Sequence, residues 1–88
     1  MKTVDVIISG RVQSVGFRAF TRKNAVQLDV NGYVENLEDG RVHAVLEGDD
    51  QRVDMLLEVI RYGPGTARVR DIKIRPLDKA GFEDFNVR

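Results

Sequence analysis

Residues 4–20 read VDVIISGRVQSVGFRAF and join a strand-like segment to a helix-like segment. Apolar side chains dominate residues 4–8, which predicts a strand that is mostly buried on both faces and therefore central in a sheet. Helical spacing of apolar side chains follows over residues 17–28. The loop between the two carries Gly10 and Gly16, and glycine permits backbone conformations and close ligand approach that other residues block.

The loop and the start of the helix together have the composition of an anion-binding site. A turn of this kind directs successive backbone N–H groups into one concavity, and the helix N-terminus adds the positive end of its dipole. Arg18 stands at the start of the helix, where the dipole disfavours a cation, so a bound anion would satisfy both. Its guanidinium can also pair in forked geometry with phosphate oxygens. The sequence therefore predicts a phosphate-like ligand at this loop.

Two further strands and a hairpin are predicted after the first helix. Residues 32–37 contain residues that favour strands, and Asp39-Gly40 is a strong hairpin signal. Residues 41–48 form the returning strand. Its side chains divide between two faces, with Val42, Ala44 and Leu46 on one and His43, Val45 and Glu47 on the other.

Both predicted helices carry an apolar stripe at helical spacing. Asp49 or Asp50 caps the second helix, and Gly63 ends it before a proline. The predicted stripe of the first helix consists of Phe17, Phe20, Asn24 and Leu28. The predicted stripe of the second helix consists of Val53, Leu56, Leu57 and Ile60.

The predicted fourth strand, residues 67–75, has an irregular alternation of apolar side chains. A bulge near Arg70 and Asp71, or an exposed edge, would explain the irregularity. Pro76 ends this strand, and residues 82–87 form a short last strand. A row of cations along a strand is typical of an edge protected against pairing, which favours a monomer. These cations are Arg68, Arg70, Lys73 and Arg75.

The order β-α-β-β-α-β, with a short C-terminal strand, predicts an α+β fold. It is a ferredoxin-like α/β sandwich with a mainly antiparallel sheet and two helices on one face. Residues 1–88 are expected to form a single domain. The first and third strands are central, so the loop lies at the end of a central strand beside a helix N-terminus.

Composition excludes several classes of function. Lys plus Arg and Asp plus Glu number 14 each, and this balance argues against a general nucleic-acid binder while permitting a local basic pocket. The absence of cysteine excludes disulfides, thiolate metal sites and cysteine nucleophiles. The first residues do not resemble a signal peptide, and no apolar stretch approaches about 20 residues. We therefore expect a cytoplasmic protein without a membrane partner.

Few side chains could carry chemistry. His43, the only histidine, is expected to be solvated or loosely packed rather than catalytic. Ser14 has no neighbouring base and is interpreted as a turn-stabilising hydroxyl. Asn36 either bonds nearby backbone or orients a water, and the residues alone leave both open. A mechanism would have to work without histidine, thiol or metal.

Two separate motifs resemble the acylphosphatase family. The family signature G-x-V-Q-G-V-x-F-R is similar to residues 10–18, with Ser14 where the family usually has glycine. A glycine-aromatic strand start, an asparagine and a glycine hairpin are similar to residues 32–42, and the likeness continues to Gly48. If the usual glycine has a positive φ, Ser14 would strain the loop by about 1–2 kcal/mol.

The resemblance implies hydrolysis of the carboxyl–phosphate anhydride bond in acyl phosphates, which gives a carboxylate and inorganic phosphate. It implies no metal and no organic cofactor, and its partners are the small-molecule acyl phosphate and inorganic phosphate. It also implies that Asn36 orients the attacking water. The phosphoryl group is implied to be held by the Arg18 side chain and by the loop amides of Ser14, Val15, Gly16, Phe17 and Arg18.

Two other functions are compatible with a fold of this size. A non-catalytic anion-binding regulatory module would bind phosphate without turnover, and a related acylphosphatase-like domain occurs inside larger maturation proteins. The length of 88 residues favours a free-standing enzyme. An RNA-binding domain of similar topology would display aromatic side chains for base stacking on the open sheet face, where His43, Val45 and Glu47 are expected instead.

Overall fold

A computed structural model describes residues 1–88 and contains five strands and two helices. In chain order these are β1 (Lys2–Arg11), α1 (Phe17–Gln27), β2 (Asn31–Asn36), β3 (Val42–Gly48), α2 (Asp50–Tyr62), β4 (Arg68–Leu77) and β5 (Phe85–Val87). The order confirms the predicted β-α-β-β-α-β succession and the short last strand.

The five strands form one sheet in the order β4-β1-β3-β2-β5. All neighbouring pairs are antiparallel except β2 and β5, which are parallel. Side chains from both helices and from one sheet face form a single buried cluster. The ferredoxin-like α+β prediction is therefore confirmed, with β1 and β3 near the middle of the sheet. No helix is long and apolar enough to cross a membrane.

Helix α2 buries the predicted stripe, whereas α1 presents a different one to the core. Val53, Leu56, Leu57 and Ile60 are buried. In α1 the buried side chains are Phe17, Thr21 and Ala25, at intervals of four residues. Phe20 and Asn24, predicted for the core, are only half-buried at the side of the stripe. The prediction failed because Thr21 satisfies its own hydroxyl by donating to the Phe17 carbonyl at 2.9 Å, which allows a polar residue in the core.

Strand β4 contains the predicted bulge but continues past the predicted end. Ser9 pairs with Asp71 and Gly10 pairs with Val69, so Arg70 is the extra residue. A Cβ at Gly10 would lie 2.1 Å from the Arg68 carbonyl oxygen, which only glycine avoids. Pro76 does not end the strand. It pairs with Val4, and it is tolerated there because β4 is an edge strand with no outer neighbour.

The face of the sheet opposite the helices is not open at Glu47. The segment after β4 folds over this carboxylate, which is only 3% exposed. Burial opposes its ionisation, but hydrogen bonds outweigh that cost and hold the pKa of Glu47 below its usual value. The donors are the Thr3 hydroxyl at 2.6 Å and the N–H groups of Ala80 at 2.7 Å, Phe82 at 2.8 Å and Gly81 at 2.9 Å.

His43 also departs from the predicted solvated or loosely packed state. Its ring lies between two carboxylates, with Nε2 2.6 Å from Asp5 Oδ1 and Nδ1 2.7 Å from Glu35 Oε2. Both nitrogens face acceptors, so the imidazolium, which has two donors, suits the site best. Burial opposes the charge, but the hydrogen bonds to Glu35 and Asp5 outweigh it and raise the pKa of His43.

This raised pKa predicts that the contribution of His43 to stability is lost in alkali. The contribution is complete below the unfolded-state pKa of about 6.5 and declines as pH rises through the higher folded-state pKa. We expect wild type to exceed His43→Gln in unfolding free energy by about 1–2 kcal/mol in mild acid, and by less in alkali. Urea unfolding of both proteins at about pH 6 and about pH 9 measures this difference. A difference that does not change with pH would contradict the prediction.

Candidate functional site

The loop between β1 and α1 leaves a series of backbone donors unused. Helix α1 has no side-chain cap, and its first backbone bond runs from Phe20 N–H to the Gly16 carbonyl. The N–H groups of residues 14–18 therefore have no acceptor within the protein. Free N–H groups at a helix N-terminus attract anions.

The sign of the backbone angle φ alternates along this loop. Ser14 has a φ of 60° and Gly16 a φ of 76°, while Val15 between them has no positive φ. Alternation of this kind turns successive N–H groups into one anion-binding concavity. The condition for strain at Ser14 is therefore met, at about 1–2 kcal/mol for a non-glycine residue in the left-handed region. The side-chain hydrogen bonds at this loop come from Gln13 and Thr66, so a turn-stabilising bond from the Ser14 hydroxyl is not observed.

Arg18 is half-buried at the start of α1, and the C-terminal end of the chain holds its guanidinium. Arg18 Nη1 donates to the main-chain oxygen of Arg88 at 2.8 Å. Arg88 is itself fixed, because its N–H donates to the Val34 carbonyl at 2.8 Å and its guanidinium lies 3.6 Å from the centre of the Tyr33 ring. This contact restricts the rotamer of Arg18 without using all five of its N–H donors.

Asn36 ends β2, where it pairs with Val42. Side chains alternate along a strand, so Asn36 lies on the same sheet face as the buried Val34, the face that the helices cover. The Asn36 side chain is exposed and bonds to no other group of the protein. The sequence left two roles open for Asn36, a bond to nearby backbone or the orientation of a water. The bond to nearby backbone is not observed.

Gln13 joins the loop to the hairpin, a contact that sequence reasoning missed. Its Nε2 donates to the carbonyls of Leu37 at 2.7 Å and Arg41 at 2.9 Å. The sequence contains the glutamine within the first motif, but the partners lie 24 and 28 residues away. Only knowledge of where the hairpin lies could have revealed them.

Most of the predicted site residues line one pocket of about 220 Å³. It is smaller than the clefts of about 300–1,000 Å³ that enclose drug-sized ligands, and it suits a small anion. Val15, a predicted loop residue, does not line it: its side chain packs against the core, and its carbonyl accepts from the Thr66 hydroxyl at 3.2 Å. The lining consists of Val12, Ser14, Gly16, Phe17, Arg18, Ala19, Asn36 and Val87.

The pocket has one ionisable side chain, the cation Arg18. His43 belongs to the opposite sheet face, because it alternates with the buried Val42 and Ala44. No group of three or more His, Cys, Asp or Glu residues in the structure could hold a metal ion. The arrangement can bind an anion through a guanidinium and backbone amides, beside a free amide side chain.

Comparisons with known proteins place the chain in one family. The acylphosphatase family model matches residues 4–87. The acylphosphatase of Methanocella arvoryzae is 62% identical over 88 residues, which cover 100% of both chains. The acylphosphatase of Thermus thermophilus is 40% identical over 87 residues, 99% of each chain. The crystal structure of acylphosphatase from Bacillus subtilis superposes with a TM-score of 0.97 at 31% identity, covering 100% of this chain and 99% of that one. This chain belongs to the acylphosphatase family.

Proposed function

We propose that Arg18, the amides of residues 14–18 and Asn36 carry out the acyl phosphate hydrolysis that characterises this enzyme family. The observation that supports these roles is the single pocket into which a loop, a helix start and the end of β2 bring Ser14, Gly16, Arg18 and Asn36. Hydrolysis yields a carboxylate and inorganic phosphate. In this proposal residues 1–88 act as one domain.

The phosphoryl group occupies the concavity of the loop in this proposal. The free N–H groups of residues 14–18 donate to its non-bridging oxygens, as backbone amides at a helix N-terminus do for phosphates. Arg18 pairs with the same oxygens through its remaining N–H donors. These groups are in place before the substrate arrives, so they stabilise charge that spreads over the equatorial oxygens without reorganising.

Asn36 orients the attacking water. Its free amide has a carbonyl oxygen that can accept a hydrogen bond from the attacking water. The water oxygen bonds to phosphorus as the bond between phosphorus and the acyl oxygen breaks. The bonding electron pair leaves on the carboxylate, and a water proton passes to the phosphate product or to solvent.

The chemistry needs no acid at the leaving group. The departing carboxylate has a conjugate acid with a pKa of about 4, so it leaves as the anion at neutral pH. Phosphoryl transfer passes through a loose transition state, in which positioning and preorganised charge supply most of the catalysis. The pocket, with one cation and no acid or base, matches that requirement.

We also propose that the protein acts as a cytoplasmic monomer on small molecules, without a nucleic-acid or membrane partner and without a cofactor. The formal net charge of zero supports the absence of a nucleic-acid partner. The exposed cations on β4 support a monomer, because they discourage pairing between edge strands.

Hydrolysis of benzoyl phosphate in EDTA tests the metal-free mechanism. We expect EDTA to leave turnover unchanged and inorganic phosphate to inhibit competitively, since the product occupies the same loop. Turnover that falls in EDTA and returns with Mg²⁺ would contradict the mechanism. Direct phosphate binding by a folded protein that shows no turnover would instead identify the anion-binding module.

A further inference from the structure

Gln13 donates both of its amide hydrogens to main-chain carbonyls at the base of the β2–β3 hairpin. The acceptors are the Leu37 carbonyl at 2.7 Å and the Arg41 carbonyl at 2.9 Å. Leu37 N–H donates to the same Arg41 carbonyl at 2.8 Å, so the two oxygens mark the base of the turn. Gln13 therefore holds the hairpin by its main chain, directly after Asn36.

This link spans a gap that the sheet does not close. Strands β1 and β2 both pair with β3 and not with each other, so these two strands lie two strand spacings apart, about 10 Å. The loop also leaves the sheet after Arg11. Among the side-chain hydrogen bonds of the structure, those of Gln13 alone join residues 12–18 to residues 36–41.

We infer that Gln13 is a positioning residue that sets the separation between the phosphate-binding loop and Asn36. The inference rests on the proposed roles of these two parts of the site. Gln13 does not line the pocket, so it acts through Asn36 and the loop rather than on substrate. A displacement of about 1 Å between reacting groups can cost about 10²-fold in rate, so a small relaxation of the hairpin has a measurable effect.

The test uses Gln13→Met, which keeps the side-chain length and removes both donors. Gln13→Asn, which keeps the amide but cannot reach the hairpin, provides a second variant if the first does not fold. Gln27→Met, at an exposed position on α1, is the matched control. We expect kcat for benzoyl phosphate to fall about tenfold in the Gln13 variants. The inhibition constant of inorganic phosphate should change less than about threefold, since the loop amides and Arg18 remain.

A double-mutant cycle with Asn36→Ala separates positioning from a general structural effect. If Gln13 acts by placing Asn36, Gln13→Met should change kcat less than about twofold once Asn36 is alanine. Full additivity, or equal loss of phosphate affinity, would overturn the inference while leaving the proposed function intact. An unchanged kcat in Asn36→Ala alone would overturn the role of Asn36, and the inference with it.

Discussion

Arg18→Ala should lower kcat/KM for benzoyl phosphate by about 10³-fold or more, with the fold retained. Arg18 is the one cation that lines the pocket, and a guanidinium on a transferring phosphoryl group is worth about 10³–10⁵-fold in other phosphoryl-transfer enzymes. The variant also loses the bond from Arg18 to the Arg88 oxygen, which is exposed and stabilises the fold by about 1 kcal/mol at most. Steady-state kinetics and thermal unfolding followed by circular dichroism separate the two effects.

Two further substitutions make this result specific. Arg18→Lys keeps the charge and loses the planar fork, so we expect activity between that of wild type and Arg18→Ala. Lys23→Ala removes an exposed cation from the same helix without touching the pocket, and it should retain nearly full activity. A folded Arg18→Ala enzyme with near-normal kcat/KM, or an equal loss in Lys23→Ala, would refute the role proposed for Arg18.

The elements predicted correctly are those in which local pattern and burial agree. The apolar stripe of α2, the hairpin at Asp39-Gly40 and the bulge at Arg70 each follow from fewer than about fifteen neighbouring residues. The two motifs contain six of the eight residues that line the pocket.

The errors at Glu47 and His43 concern contacts between distant parts of the chain. Glu47 accepts from backbone 33 to 35 residues away, and His43 meets Asp5 across 38 residues. A strand pattern shows which side chains share a face, but it does not show which of them a returning segment will cover. Hydrogen-bonded carboxylates then occur where the pattern predicts solvent. The partners of Gln13 were missed for the same reason.

Asn36→Ala should reduce kcat for benzoyl phosphate by about 10²-fold while phosphate still inhibits at nearly the wild-type concentration. The reason is that Asn36 lacks any partner within the protein and belongs to β2, whereas the groups proposed to hold phosphate belong to the loop and α1. An amide that acts on the attacking water contributes to the transition state but little to binding of the product. Kinetics with inorganic phosphate as competitive inhibitor measure both quantities on the same protein.

The outcome distinguishes two roles that the pocket geometry permits. Asn36→Asp tests them further, because it keeps a water acceptor of nearly the same shape but places a negative charge beside the phosphoryl group. A water-orienting role predicts that Asn36→Ala spares phosphate affinity and that Asn36→Asp weakens it by repulsion. Asn86→Ala, which removes an exposed asparagine of the neighbouring β5, is the matched control and should behave as wild type. Equal losses of kcat and phosphate affinity in Asn36→Ala would show that Asn36 binds the phosphoryl group, and the attacking water would then have to be oriented by the loop and the substrate alone.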